Sequence, residues 1–426
     1  MLAPLTRKPL YLAIALGSLL PVSALANTAV TPESVVSHYA DIAHATFEDA
    51  RTSAQTLNTR IDALLEAPSA ETLAAARQAW LQARVPYQQS EVFRFGNSVV
   101  DNWEGQLNAW PLDEGMIDYV ASSDYQHELG NAGATANIVA NTAIEIGGET
   151  LDVSNITPNL LADLNEIGGS EANVATGYHA IEFLLWGQDL NGFDAGNGER
   201  PATDYMAGEE CTGGSCERRR DYLDAVSDLL VYDLEWMVAQ WAPAQEGTYR
   251  QAFLAEPAQE GLRRMLFGMG SLSLGELAGE RMKVALEANS YEDEHDCFSD
   301  NTHNSHFYNG MGVQNVYLGE YKRLDGSVVE GPSLSDLLAE TDPELDATLR
   351  NQLNASMAEL NDIKLAAEAE SSPMAFDMMI APSNETGASL INDAIMALVI
   401  QTNSIEQAAD TLGLTQLQPD DAGHAF

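Results

Sequence analysis

One segment of the chain, GYHAIE, places His179 and Glu182 three residues apart. If the segment is helical, this spacing puts the two side chains on the same face. Residues 183–186, FLLW, are apolar, so the pair is expected to be largely buried and to need polar partners. An imidazole and a carboxylate on one face can bind a metal ion or act as an acid–base pair. The alternative is a hydrogen-bonded pair with a purely structural role.

A second polar group lies in VPYQQSEVFRFG, where Tyr87, Glu91 and Arg94 are spaced at i, i+4 and i+7. Helical geometry predicts that these residues share one face, with apolar residues around them. Glu91 is therefore a candidate metal ligand that could join His179 across the interior of a bundle. Arg94 would balance its charge, and Tyr87 would line the same site. An ordinary ion pair on a helix face is the alternative.

The stretch YEDEHDCFSDNTH, residues 291–303, is dense in side chains that can bind metals. It combines acids, imidazoles and a thiol, including Asp293, Glu294, His295, Cys297, Asp300 and His303. Oxygen and nitrogen ligands at this density suit iron or another transition metal, with zinc as the alternative. We take Asp293, Glu294 and His295 as candidate ligand-binding residues. A solvated acidic loop that caps the next helix is the other interpretation.

The sequence motifs of familiar hydrolases are incomplete. The segment HELGN, residues 127–131, begins like the helix of a zinc protease but lacks the second histidine. Glu182 also lacks the following histidine of the inverted motif, and the sequence contains neither a phosphate-binding loop nor a nucleophile elbow. A catalytic zinc usually has three protein ligands, and the clear motif supplies only two. Whether the protein is an enzyme is left open.

Helices must position all of these residues. Capping side chains, prolines and first-turn acids mark helix starts at TPE (31–33), at Ser69 and at DPE (342–344). Apolar residues at helical spacing predict helices over about 32–65, 69–93, 171–186, 217–241, 256–267, 271–288, 342–370 and 385–412. Strand-type alternation is weak throughout, so the predicted fold class is all-α.

Each half of the chain has about four long helices, which predicts two helical-bundle domains, with a duplicated four-helix-bundle arrangement as one form of this. The loop-like residues 191–216 are the best boundary region. We therefore expect an N-terminal domain of residues 27–205 and a C-terminal domain of residues 206–426.

Composition limits the partners. The chain has 64 acidic and 20 basic residues and a formal net charge of -44. Too few lysines and arginines are available to neutralise phosphates, which argues against nucleic acid and anionic lipid. The charge fits either an acidic surface suited to salty surroundings or a negative field that attracts metal cations. Of the three cysteines, Cys211 and Cys216 are close enough in sequence for a local disulfide, and Cys297 is the odd one.

The N-terminus predicts export. A basic pair at positions 7–8 precedes an apolar run at 10–20, and ALA at 24–26 provides a small-residue cleavage site. Residues 1–26 are therefore predicted to be a signal peptide. The mature chain is expected to be soluble in the periplasm or at the outer cell surface, where disulfides form.

Several segments resemble the imelysin-like family, which was historically classed as a metallopeptidase family. The signature G-x-H-x-x-E of that family matches Gly177, His179 and Glu182. The resemblance is greatest to its iron-regulated protein A branch. The segments that carry it are QSEVFRFGNSVVD (from Gln89), WPLDEGMIDYV (from Trp110), GYHAIEFLLWGQDL (from Gly177), RPATDY (from Arg200) and EDEHDCFSDNTH (from Glu292).

The resemblance implies two helical bundles with a site in the cleft between them. It implies that His179 and Glu182 lie at that site and that Glu91 and Arg94 line it. The first hypothesis is an exported protein that binds iron, or a ligand carrying iron, for an uptake component of the outer or inner membrane. The alternatives are a metallopeptidase with Glu182 as its catalytic residue, and a metal-free scaffold that binds a peptide or partner.

Overall fold

The computed structural model describes residues 30–121, 125, 127–414 and 417–426, so the predicted signal peptide lies outside the described residues. Within these ranges, no helix is both long and apolar enough to cross a bilayer. Helices dominate the described chain and strands form only two short hairpins. The all-α prediction is confirmed.

The elements follow one another along the chain with few long connections. The α-helices are α1 (Pro32–Glu66), α2 (Ala70–Ser90), α3 (Ser98–Leu107), α4 (Pro158–Leu164), α5 (Gly177–Trp186), α6 (Cys216–Trp241), α7 (Tyr249–Ala255), α8 (Ala258–Ser271), α9 (Ala285–Ala288), α10 (Thr302–Leu318), α11 (Leu334–Thr341), α12 (Pro343–Ala367), α13 (Phe376–Met379) and α14 (Glu385–Thr411). A π-helical segment, Leu272–Val284, joins α8 to α9. The antiparallel hairpins are β1 (Ala143–Ile146) with β2 (Glu149–Asp152), and β3 (Glu320–Lys322) with β4 (Val328–Glu330).

The predicted helix starts are set by local hydrogen bonds. Thr31 and Ser34 form a reciprocal capping box at the start of α1, and Ser69 and Thr72 form another at the start of α2. Asp342 accepts a hydrogen bond from the backbone of Leu345 at the start of α12. Each cap satisfies backbone N–H groups that the first turn leaves free, which is why short-range sequence patterns located these starts correctly.

The first layer of the fold packs α1 against α2 and α6 around an aromatic core. Phe47 and Phe93 both contact the Trp241 ring, with ring centroids 6.5 and 6.2 Å away. Tyr39 packs edge-on against the same tryptophan. Burial of these rings supplies much of the apolar area that holds the three helices together.

The second layer packs α10, α12, α14 and the π-helical segment around a separate, smaller cluster that includes Leu277, Phe376 and Leu398. The main core runs from Val35 to Leu414 and draws on both halves of the chain. The domain boundary at residue 205 stays a prediction, and α6, which follows it in sequence, packs on α1.

Helix α5 begins at Gly177, six residues later than the predicted start. Gly177 has φ +78°, and a Cβ at this position would lie 2.3 Å from the carbonyl oxygen of Leu107. Only glycine fits this close contact between α5 and the end of α3. Thr176, the residue before it, is in an extended conformation. The contact therefore fixes where the helix that carries His179 begins.

The local disulfide suggested by the sequence is present. Cys211 and Cys216 are bonded, with Cα atoms 6.0 Å apart, just before and at the start of α6. Cys297 is a free, half-buried thiol.

Candidate metal centre and acidic cleft

His179 and Glu182 form a hydrogen-bonded pair on the buried face of α5. Nδ1 of His179 lies 3.0 Å from Oε2 of Glu182. The other oxygen, Oε1, accepts hydrogen bonds from the backbone and hydroxyl of Ser299, at 3.0 and 2.6 Å. Both oxygens of Glu182 are therefore engaged, so the carboxylate orients the imidazole.

The remaining nitrogen of His179, Nε2, is buried and has no hydrogen-bond partner among the described residues. Burial, reinforced by Arg84, holds the pKa of His179 well below its usual range, so the ring is neutral. Burial, followed by the nearby Asp296, raises the pKa of Glu182 well above its usual range. Metal binding that releases this proton would leave Glu182 ionised, so that Nδ1 donates its hydrogen to the carboxylate and Nε2 presents its lone pair. A histidine whose second nitrogen is held by a carboxylate is the arrangement that metal-binding histidines commonly adopt.

His295 lies against His179, with the ring centroids 4.9 Å apart and the rings edge to face. Its Nδ1 is also buried without a partner in the described chain. Burial and then Arg281 hold the pKa of His295 well below its usual range, so this ring is neutral too. One ligand atom from each of His179, His295 and Asp296 lies within 4.8 Å of the others. Two imidazoles and a carboxylate form a donor set for iron or zinc.

Asp296 is held ionised by its surroundings. Its Oδ1 lies 2.7 Å from Nη2 of Arg84, and Oδ2 accepts hydrogen bonds from Asn301 and Ser305. Burial alone would raise the pKa of Asp296, but Arg84, followed by His179 and the hydrogen bond from Ser305, together outweigh burial and lower the pKa to about 2. Arg84 in turn lies over the ring of Tyr178. The centre therefore has a built-in positive charge on one side.

Glu91 does not pair with Arg94 as the sequence predicted. Nη2 of Arg281 lies 2.7 Å from Oε2 of Glu91 and 2.8 Å from Oε1 of Glu276. Arg94 lies instead within 3.5 Å of Glu104 and of Glu276. The charges of Arg94 and Glu91 still attract one another, since Glu91 acts with Glu104 and Glu276 to raise the pKa of Arg94. The direct ion pair is not formed because α2 ends at residue 90 and a 3-10 turn follows.

A cleft of about 820 Å³ opens beside the centre. Its walls come from distant parts of the sequence and include Asp101, Glu104, Glu166, Glu276, Glu292 and Asp293. His295 and Arg281 also line the cleft. Because His295 both lines the cleft and contacts His179, it connects the space to the buried pair. Burial raises the pKa of Glu104 and of Glu292 to about 7 in each case.

The predicted site residues divide between the cleft and the interior. Arg94, Asp293 and His295 line the cleft. Tyr87 and Glu91 are buried away from it, and the ring of Tyr87 packs on Tyr178 with centroids 4.6 Å apart. Their proposed roles in ligand binding stay predictions.

Sequence reasoning missed three residues that shape the centre: Asp296, Arg84 and Arg281. Asp296 follows His295 directly, and this adjacency was a usable signal. Arg84 lies in α2 and Arg281 in the π-helical segment, and nothing in the local sequence pattern marks either of them.

Glu294, also predicted as a ligand-binding residue, belongs to a different group. One carboxylate oxygen from each of Glu294, Asp300 and Asp377 lies within 4.8 Å of the others. Burial, followed by the nearby Asp377, raises the pKa of Asp300 to about 8. Burial also raises the pKa of Asp377, to about 7. These three carboxylates form a second cluster, with no member in common with the two-histidine centre.

Comparisons with known proteins agree with this architecture. A protein from Parabacteroides distasonis, whose crystal structure carries the provisional name iron-regulated protein A precursor, superposes with a TM-score of 0.63 at 18% identity. The superposition covers 91% of this chain and 97% of that one. This likeness shows the shared fold.

In sequence, the chain is 24% identical over 296 residues to iron-regulated protein A of Synechococcus elongatus. That match covers 67% of this chain and 63% of the relative, so it spans less than two thirds of the relative's length. The imelysin family model matches residues 43–405. With nearly all of its helices inside that match, the chain belongs to the imelysin family.

Proposed function

We propose that this protein binds iron for uptake, at a centre formed by His179, His295 and Asp296, with zinc as the alternative occupant. The observation that carries the proposal is a pair of buried imidazole nitrogens, Nε2 of His179 and Nδ1 of His295, that lack partners among the described residues. Burying a polar nitrogen without a partner costs about 1–3 kcal/mol, which a bound metal ion would offset.

The donor set fits a borderline transition metal. Both imidazoles are neutral, as metal binding requires, and Asp296 supplies an ionised carboxylate beside them. Glu182 is hydrogen-bonded to Nδ1 of His179 and orients the ring. Two histidines and one carboxylate with open positions are typical of non-haem ferrous sites. A bound ion would act as a Lewis acid toward ligands that enter from the cleft.

The acidic cleft supports a role in collecting cations. Its carboxylates outnumber Arg94 and Arg281, so the local field is negative and raises the local concentration of cations. Its volume also admits a small chelate, so an iron-linked ligand is a second form of cargo that the proposal includes. The cleft is the proposed entrance, whether or not it separates two domains.

The proposal places the protein outside the cytoplasm. The predicted signal peptide and the disulfide between Cys211 and Cys216 support export to the periplasm or outer surface. The names of the two relatives connect those proteins with iron regulation. A component of an iron-uptake system in the outer or inner membrane is the proposed partner.

The test is an anaerobic titration of the purified mature chain with ferrous iron by calorimetry, repeated with zinc. The double variant His179→Ala/His295→Ala should bind iron at least about 100-fold more weakly, because it loses both nitrogen ligands. The matched control is His44→Ala, which removes an imidazole of α1 that does not line the cleft. Equal affinities in the double variant and the control would reject the centre.

A peptidase has less support, because Glu182 is buried, has both oxygens engaged and does not line the cleft. A general base must reach the water it activates. Chelator-sensitive cleavage of an unstructured protein that disappears in Glu182→Gln would favour the peptidase. A chain that contains no metal on isolation and binds none would favour the scaffold.

A further inference from the structure

We propose a second cation site, in which Glu294, Asp300 and Asp377 bind a hard divalent cation of the calcium class. The site is separate from the iron centre. Glu294 and Asp300 lie in the ligand loop, which we define as residues 289–301, and Asp377 lies in the short helix α13. The bound cation would join the ligand loop to the smaller hydrophobic cluster that includes Phe376.

The first argument is that the oxygens lack partners. Oε1 of Glu294 and Oδ1 of Asp300 are buried and accept no hydrogen bond from any described residue. The buried carboxylate of Asp377 has the backbone N–H groups of its own residue and of Met378 as neighbours, and no described side chain donates to it. Glu294 and Asp377 are each 1% exposed. Carboxylates buried to this degree are normally paired or bound to a metal ion. These side chains are aimed at one another, since their ligand atoms lie within 4.8 Å.

The second argument is the missing countercharge. Within the described chain, no arginine or lysine forms an ion pair with Glu294, Asp300 or Asp377. At the iron centre, by contrast, Arg84 forms an ion pair with Asp296. Three carboxylates in a shared buried space repel one another strongly, so a cation is the natural complement.

The third argument concerns ion type. The cluster offers carboxylate oxygens alone, which are the ligands that calcium prefers, whereas zinc and iron sites usually include nitrogen or sulfur. Glu294 also lines a small cavity of about 10 Å³ with Glu114, Asp189 and Glu292. This is about the volume that one water molecule needs, and Glu294 is the member of the cluster that lines the cavity. Calcium takes six to eight oxygens and commonly includes water among them.

The position of the site gives it a role. His295 and Asp296 lie in the ligand loop between Glu294 and Asp300. A cation that fastens both ends of this stretch to α13 would fix the two residues that the loop supplies to the iron centre. The second site therefore acts by positioning, without contact with the iron.

The experiment uses the mature chain after removal of all metals by chelation. Calcium is titrated by calorimetry, and the melting temperature is measured with and without it. Saturable binding is expected, with a rise in melting temperature of about 3 °C at a free calcium concentration one hundred times the Kd. The variants are Glu294→Gln, Asp300→Asn and Asp377→Asn. Asparagine suits position 300, where φ is +56°.

Each amide variant should lose at least about tenfold in calcium affinity, because it removes a charged oxygen ligand. Each should also melt at or above the temperature of the metal-free parent, since it removes repulsion. This second readout separates a cation site from a structural carboxyl group, whose loss would lower the melting temperature. The control is Glu287→Gln, an exposed carboxylate in α9 that lies outside the cluster.

Absence of saturable calcium binding by the metal-free chain would overturn the proposal, as would equal loss of affinity in Glu287→Gln. The two sites are distinguished by measuring calcium binding in the variant of the iron centre and iron binding in a variant of the carboxylate cluster. His179→Ala/His295→Ala should still bind calcium, and Asp377→Asn should still bind ferrous iron, with its affinity lowered by loop mobility only.

Discussion

The ligand loop presents neighbouring residues to two contrasting environments. His295 and Asp296 face a centre with two neutral imidazoles and two buried arginines, Arg84 and Arg281. Glu294, the residue before them, faces carboxylates for which the described chain provides no arginine or lysine ion pair. The comparison shows that the site with nitrogen ligands also has arginines of the protein beside it, whereas the site with only carboxylate ligands has none among the described residues. The nitrogen-rich centre is balanced by the protein itself, whereas the oxygen-only cluster depends on an external cation.

The largest expected effect tests the internal balance at the iron centre. Arg84→Met would leave Asp296 buried without its cation, which should lower the free energy of unfolding by about 3–5 kcal/mol. Denaturant titration measures this loss. Arg60→Met, which alters an exposed arginine of α1, should change stability by less than about 0.5 kcal/mol. If Arg84→Met were as stable as Arg60→Met, the internal countercharge would not matter and the comparison would fail.

A smaller effect is expected from the carboxylate behind His179. Glu182→Gln weakens the orientation and polarisation of the imidazole, so ferrous or zinc affinity should fall by about 10–100-fold. Calorimetric titration of the variant with each metal measures this change. Calcium affinity should stay within about twofold of the parent in the same variant. A parallel loss of both metals would show that the variant disturbs the fold, and it would remove the claimed separation of the two sites.

The smallest effect is a pH dependence from the carboxylate cluster. The pKa of Asp300 is raised to about 8 in the folded chain, mainly by burial, and an unfolded aspartate titrates near about 3.9. The folded state thus retains a proton that the unfolded chain loses. The stability from this group is complete below about pH 4 and is lost as pH rises to 8. Asp377, Asp189 and Glu294 surround the group.

Without metal, the melting temperature should therefore fall by about 3 °C between pH 6 and pH 8, and calcium should restore it at pH 8. Asp300→Asn should have a shallower slope. Scanning calorimetry at a series of pH values measures both. A melting temperature that rises over this range in the metal-free parent would contradict the assigned direction of the pKa shift.

Much of the fold could be predicted because helix starts and amphipathic faces are local. The capping boxes at Thr31 and Ser69 use side chains within three residues of the groups that they cap. Helix α14 was located within one residue at its end for the same reason. The late start of α5 could not be predicted, because the constraint on Gly177 comes from the backbone of Leu107, 70 residues earlier in the chain.

The candidate site was predictable only in part. The spacing of His179 and Glu182 correctly indicated a shared helical face, and their apolar neighbours indicated burial. The countercharge of Glu91 was assigned to Arg94, three residues away, whereas Arg281 fills that role from the π-helical segment. Local spacing favours near partners, but a buried ion pair is chosen by packing, and packing joins residues of any separation.

The sequence by itself determined an acidic, helical chain with two segments that carry metal-binding side chains, because composition, caps and periodicity are properties of short stretches. Only the tertiary structure decided which of those side chains belong to the two-histidine centre and which belong to the carboxylate cluster. It placed His295 and Asp296 beside His179, and it turned Glu294 toward Asp377, which lies 83 residues further along the chain. Loop residues have no fixed period, so which way each one faces depends on the surfaces against which the loop packs.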